Sequence, residues 1–196
     1  MRKIFFVLAF VCYISSAYAA DYKAKLEELI NSEMKAWSQS EEVSLFLKSQ
    51  NEKNADLSES DFKILNSRWQ AEKRKLNKTL TDKVLGNELS GYLKEIEEKG
   101  QGVYTEIIII DKFGLSAGQS MDSLNYFHAG EKRWDKTFGS NSYAAYISDL
   151  HFDDNTNLFQ VDVAFMIFAD EEAIGVAYAG IDVEQLEEWK KRREAF

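Results

Sequence analysis

No proline occurs anywhere in the 196 residues, and the one cysteine, Cys12, falls within the first twenty. Without proline, every turn must be built from Gly, Asn, Asp or Ser. The position of Cys12 matters because the leading segment has the form of an export signal. Arg2 and Lys3 give a charged start, the apolar run from Ile4 to Ile14 follows, and Ala17-Tyr18-Ala19 supplies the small-residue cleavage pattern. Cleavage is expected after Ala19. The apolar run is shorter than the ~20 residues that span a bilayer, and no later stretch has the character of a transmembrane helix. Loss of residues 1–19 removes the thiol, so the mature chain forms no internal disulfide and has to stand on its core. The expected product is soluble and exported, most simply to a bacterial periplasm.

Positive charge is scarce as well. Lys and Arg number 24 against 33 Asp and Glu, a net charge of −9. That becomes −11 once Arg2 and Lys3 leave with the signal. So acidic a chain is poorly suited to nucleic acid, whose binding depends on neutralising phosphates. One basic cluster, Lys190 to Arg193, lies near the C-terminus. It reads as the complement to the negative end of a terminal helix, or else as a docking patch for an acidic partner.

The absences reach catalysis too. A mature chain without cysteine has neither a thiol nucleophile nor a zinc–thiolate site. Its two histidines, His128 and His151, stand in different segments, each without a second histidine one turn away. There is no Gly-x-Ser-x-Gly turn to present a nucleophile and no glycine-rich phosphate loop. Neither catalytic residues, nor metal ligands, nor a cofactor are expected. "FDDNTN", Phe152 to Asn157, is oxygen-rich but lacks the Gly and distal Glu of a calcium loop, so it reads as a hairpin turn.

What is present changes character near residue 100. Leu26, Leu29, Ile30, Met34 and Trp37 fall at helical spacing. A polar break is expected at Ser49 to Ser60, with Ser58 and Asp61 as a capping box. A second helical pattern then carries Phe62, Leu65, Trp69, Leu76, Leu80, Leu89, Leu93 and Ile96, and "KGQG" at Lys99 to Gly102 ends it. Beyond it the pattern is mostly of strands. "VYTEIIIID" reads as a buried strand and "KFG" as a turn. "AYISDLHF" is a second strand. Phe159, Val161, Val163, Phe165 and Ile167 alternate as a strand with one buried face does. "AIGVAYAGID" is the last strand, and residues 183–193 form a closing helix capped by Asp182. The expectation is an α+β domain over residues 20–196, helical from 20 to 100 with a sheet over 103–182.

About thirty residues interrupt the sheet, and they hold "NYFHAGEKRWDKTFG", Asn125 to Gly139. A connection of that length in a compact domain is usually functional or disordered, and its aromatic content argues against disorder. Two readings stand. Tyr126, Phe127 and Trp134 could wall a ligand pocket, with Asn125, Glu131 and Arg133 as polar contacts. Alternatively, Trp134 and Phe138 could anchor a short helix, Gly130 to Phe138, onto the sheet.

"LGNELSGYLKEI", "TEIIIIDKFGLSAGQS", "NYFHAGEKRWDKTFG", "YISDLHFDDNTNLFQVDVAFMI" and "AIGVAYAGID", in that order, resemble the PDC sensor-like (Cache) family, above all its small exported members. The resemblance covers roughly Phe62 to Leu186. It implies a PAS-like antiparallel sheet of about five strands, long N-terminal helices, a short C-terminal helix, and a pocket between the sheet and the long connection. It also implies a role: binding a small metabolite such as an amino acid, amine or organic acid, and signalling through a membrane-bound receptor or another exported protein. Tyr126, Glu131 and Trp134 match the family's pocket motif. Asn125 stands where Asp is usual, His128 where Gln is usual, and Gly130 where a second Asp is usual. On the next strand Tyr146, Ser148 and Asp149 are implied ligand contacts, and Asp149 reads equally as a hydrogen-bonded strand-end residue. The two missing acids open a rival reading, a non-enzymatic protein-interaction module with a degenerate pocket. In that reading the helical half would bind the partner, near the apolar run Val43 to Leu47.

Overall fold

A computed structural model describes residues 22–195; the segment read as an export signal, and the cleavage expected after Ala19, lie outside them. Among the described residues no helix is long and apolar enough to cross a membrane. Residues 22–29 are helical, Ile30–Met34 form a π turn and Lys35–Ser38 return to α geometry, a continuous segment labelled α1. Its apolar stripe, Leu26, Leu29, Ile30, Met34 and Trp37, is buried as the spacing predicts.

Helix α2 (Glu41–Asn54) opens on Ser40, whose side chain accepts from the Val43 amide. It runs through half of the stretch expected to be a polar break, and the reason lies in where the polar groups go. The amides of Gln50 and Asn54 donate to Asp111 Oδ2 at 2.9 and 2.7 Å. Asn51 donates to the Ile174 carbonyl at 2.8 Å and accepts from the Lys112 amide at 3.0 Å. Polarity here marks a buried attachment to strand ends rather than a loop. Val43 and Leu47 of the expected docking run are fully buried in the core, while Leu45 between them is 60% exposed.

The long helical pattern from Phe62 to Ile96 divides into three. α3 (Glu59–Glu72) begins with the expected capping box of Ser58 and Asp61. α4 (Thr79–Leu85) has no side-chain cap of its own. Glu72, buried at the end of α3, serves instead, accepting from the Leu80 and Thr81 amides at 2.8 and 2.9 Å. Leu76, expected on the buried side, is fully exposed in the connection. α5 (Glu88–Lys99) is capped by Asn87 and ends at Gly100, where Gln101 and Gly102 turn the chain with positive φ.

Six antiparallel strands follow, one more than expected: β1 (Tyr104–Asp111), β2 (Ser116–Gln119), β3 (Tyr146–Ile147), β4 (His151–Asp153), β5 (Leu158–Ala169) and β6 (Glu172–Asp182). The order is β2-β1-β6-β5-β3, with β4 also paired to β5. β2 escaped the pattern because small residues fill it. At Gly118 a Cβ would stand 2.7 Å from Leu89 of α5, so the helix needs that position bare. "AYISDLHF" divides into β3 and β4 because Ser148 Oγ, rather than a backbone carbonyl, accepts from the Asp162 amide at 2.9 Å. In β5 the alternation holds at Val161, Val163, Phe165 and Ile167, while Phe159 stays 62% exposed, edge-on to Phe152. Asp153 organises the following turn by accepting from the Asn155 and Thr156 amides.

The closing helix α7 (Val183–Glu194) is capped by Asp182, which accepts from the Glu184 and Gln185 amides. Its basic cluster ties it to α1: Lys190 pairs with Glu28 at 2.7 Å and Arg193 with Glu33 at 2.9 Å. The period-two alternation of strands then sorts the sheet's two faces. Ile107 and Ile109 join the large core with α1, α2, α5 and α7. Ile108, Ile110, Ala164, Val176 and Tyr178 face the other way, where the long connection and Trp134 cover them.

Candidate functional site

On that second face the cross-strand register sets Glu106 of β1 and Asp162 of β5 on either side of Gly180 of β6. Tyr178, one row along, reaches both. Its hydroxyl stands 2.9 Å from Glu106 Oε1 and 3.0 Å from Asp162 Oδ1, and its single proton serves one carboxylate at a time. Over the ring lies Arg133, with its guanidinium carbon 3.7 Å from the ring centroid. Arg133 also approaches Glu106 at 3.5 Å and Glu131 at 3.0 Å.

The electrostatics follow from burial. Desolvation pushes the Glu106 carboxyl above its ordinary range, against the pull of Arg133 and the Tyr178 hydrogen bond. Desolvation likewise raises the Tyr178 phenol well above its usual value. Burial works against the charge on Arg133, but Tyr178, Glu106, Glu131 and Asp162 more than offset it and hold the guanidinium charged. One oxygen of this cluster is left over. Glu106 Oε2 is buried and has no hydrogen-bond partner.

A relay behind Arg133 fixes its neighbour. Gln119 Nε2 donates to Ser116 Oγ at 2.7 Å, Ser116 Oγ lies 2.8 Å from His128 Nε2, and His128 Nδ1 lies 3.1 Å from Glu131 Oε2. Because the amide can only donate, the serine proton goes to Nε2, and the histidine proton sits on Nδ1, facing Glu131. Complete burial holds the His128 ring below its ordinary pKa and therefore neutral. Burial alone would raise Glu131; the bond from His128, the charge of Arg133 and a bond from Asn125 hold it low.

Above the cluster lies a cavity of about 870 Å³. Glu106, Asp162 and Arg133 line it. Residues of β3, β4 and the segments that follow each, from Tyr146 to Asn155, contribute to one side, and Ser123 to Lys136 of the long connection contribute to another. Its lining holds five carboxylates, Glu106, Glu131, Asp149, Asp153 and Asp162, against three permanent cations, Lys132, Arg133 and Lys136. Among the described residues no group of three or more acids and histidines is arranged to hold a metal ion.

Six of the eight residues singled out in the sequence line this cavity: Asn125, Glu131, Arg133, Tyr146, Ser148 and Asp149. Tyr126 and Trp134 do not. Tyr126 stacks on Trp69 at 5.5 Å within a separate apolar cluster. Trp134 stacks on Phe138 at 4.7 Å and packs on the sheet. The cause is helical geometry. In the one-turn helix α6 (Lys132–Asp135), neighbouring residues point ~100° apart, so Trp134 anchors the segment while Arg133 is delivered over Tyr178. Both readings of the segment describe part of it. Glu106, Asp162 and His151 were not anticipated. The signal for the first two was a lone carboxylate inside an apolar strand run, at "YTEIII" and "QVDVAF". A buried acid of this kind has to find a partner.

No protein-family model and no curated protein matches the sequence. In structure, the chain is similar to the extracellular domain of the putative histidine kinase vpHK1S-Z8, with a TM-score of 0.51 and 9% identity over 96% of this chain and 63% of that one. It is also similar to the sensory domain of the Campylobacter jejuni chemoreceptor Tlp3 with isoleucine bound (TM-score 0.42, 12% identity, 86% of this chain and 65% of that one). A third is the V. cholerae histidine kinase DctB sensor domain (TM-score 0.39, 15% identity, 83% and 59%). The chain spans less than two thirds of each of these solved domains. The vpHK1S-Z8 match shows the fold, an α+β sensor fold of the PDC (Cache) type that the sequence motifs resemble.

Proposed function

We propose that the chain is a periplasmic sensor module, exported by cleavage after Ala19 and folded as one domain over residues 20–196. It binds a small polar metabolite through that metabolite's cationic group and passes its state to a receptor or another exported protein. The observation that carries this reading is the carboxylate-rich lining of an 870 Å³ cavity, five acids against three permanent cations. A bound ammonium would offset the mutual repulsion of these acids. Asp162 and Asp149 add negative charge on the same cavity, and the ring of Tyr146 suits a cation. Lys132 and Lys136 can take a carboxylate, so the ligand class is an amine or amino acid rather than a simple organic acid. The volume falls in the ~300–1,000 Å³ range of small-molecule sites. The sensor-type fold supports the reading without naming a ligand.

A thermal-shift screen with amines, amino acids and organic acids tests it, followed by calorimetry. A true ligand at 100 times its Kd stabilises by ~2.7 kcal/mol, a rise of about 5–10 °C for a chain of this size. Asp162→Asn should weaken that ligand at least tenfold. No stabilisation by any amine or amino acid would overturn the reading. One observation favours a second role alongside it. Leu150, Phe152, Leu158 and Phe159 on or beside the β4–β5 hairpin are all exposed, which suits a protein contact. Phe159→Ser should then abolish partner capture while leaving ligand affinity unchanged.

A further inference from the structure

A second cavity of about 480 Å³ lies among α2, α3 and α4 and shares no lining residue with the first. Its apolar lining comes from Phe46, Leu57, Leu65, Leu80, Val84 and the ring of Tyr126. No acid lines it, although the chain carries a net charge of −9. Two lysines do, Lys53 and Lys83. Both are exposed, and neither makes an ion pair or hydrogen bond with any described residue. Several lysines elsewhere pair with carboxylates, as Lys25, Lys48, Lys63, Lys73, Lys190 and Lys191 do. The nearby carboxylate of Asp111 is not available to them. It is already saturated by Gln50, Asn54 and the Phe113 and Leu115 amides.

A further polar group at the cavity lacks a partner. Tyr126 is only 7% exposed, and its hydroxyl makes no hydrogen bond within the described residues. The site therefore combines an apolar trough, one neutral hydroxyl donor on a largely buried tyrosine and two free ammonium groups on flexible four-carbon stems. A purely apolar ligand would leave the donors unused, and a small inorganic anion would leave the trough empty.

We propose that this cavity binds an aliphatic monocarboxylate, a medium-chain fatty acid. The carboxylate is gripped by Lys53 and Lys83 with the Tyr126 hydroxyl as a third donor, and the tail lies against Leu57, Leu65, Leu80 and Val84. The site is independent of the sensor cavity, and either can fail without the other.

Calorimetry on the mature chain with hexanoate, octanoate and decanoate, each below its micelle threshold, tests the proposal. Affinity should rise about fourfold per buried methylene until the trough is full. Decanol should bind at least tenfold more weakly than decanoate. The double variant Lys53→Gln/Lys83→Gln should lose at least tenfold in decanoate affinity and most of its salt dependence. Its melting temperature should match wild type, since both side chains are exposed and unpaired. Asp162→Asn should leave decanoate binding unchanged. Failure of the folded wild type to bind any of the acids would overturn the proposal. So would binding indifferent to the lysine changes, or binding abolished by Asp162→Asn, which would place the acid in the first cavity.

Discussion

Arg133 is the side chain on which the site's electrostatics turn, and Arg133→Gln measures its weight. The guanidinium stacks on Tyr178, meets Glu131 at 3.0 Å and approaches Glu106 at 3.5 Å. Removing one partner of a buried ion pair typically costs ~3–5 kcal/mol. Two features put this case at the low end. The side chains of Arg133 and Glu131 keep 20% and 25% exposure, and Glu131 retains His128 and Asn125 as donors. Loss of the ring contact adds ~1 kcal/mol. Glu106 escapes part of its penalty by protonating, since burial already favours its neutral form. The expected loss is about 3 kcal/mol at pH 7.5, or roughly 6–12 °C in Tm. The sign with pH follows. Without Arg133 the folded pKa of Glu106 rises further above its unfolded value, so the stability it withholds at high pH returns as pH falls, while Glu131 loses part of what holds its own pKa low. Urea unfolding at pH 7.5 and pH 5 should show the gap to wild type narrowing. Glu106→Gln in the Arg133→Gln background should cost less than on its own, by more than ~1 kcal/mol. A loss under 1 kcal/mol, or strict additivity, would refute the coupling.

Three further outcomes are expected. The His128 ring is held neutral, so its folded pKa lies below the ordinary ~6.5, and the unfolded chain takes up a proton that the folded chain refuses. Stability should therefore fall by up to ~1.4 kcal/mol per pH unit below pH 6.5, and His128→Gln should flatten that slope between pH 6.5 and 5.5 in urea titrations. Glu72→Ala removes the acceptor for the Leu80 and Thr81 amides and should cost about 2 kcal/mol. Arg68→Ala, which removes only its half-exposed ion-pair partner, should cost under ~1 kcal/mol by the same assay. At Gly180 an added Cβ would collide with Thr105 Oγ1 and the Gln160 amide group, so Gly180→Ala should lower stability by ~1–3 kcal/mol.

How far the sequence could be read depended on whether local pattern or distant partners decide each segment. Periodicity sufficed for α1, β1, β5 and β6, because the apolar residues that make the pattern are the ones that pack. Capping chemistry sufficed at Ser58 and Asp182 for the same reason: donor and acceptor are neighbours in the chain. The misreadings share the opposite cause. Gln50, Asn51 and Asn54 look like a loop until their partners at Asp111, Lys112 and Ile174 are known. β2 is made of small side chains that leave room for Leu89. In the site, the long connection advertised itself by length and composition and delivered eight cavity residues, from Ser123 to Lys136. Its floor, Glu106 with Asp162, hid in strands whose charges make sense only once the register brings them together over Tyr178.

The decisive measurement is a crystal structure of the mature chain with whichever amine or amino acid raises its Tm most. The ligand's cationic nitrogen should lie within ~3 Å of a carboxylate oxygen of Asp162 or Glu106, with Arg133 still stacked on Tyr178. A ligand bound elsewhere, or one whose cation turns away from both carboxylates, would contradict the assignment.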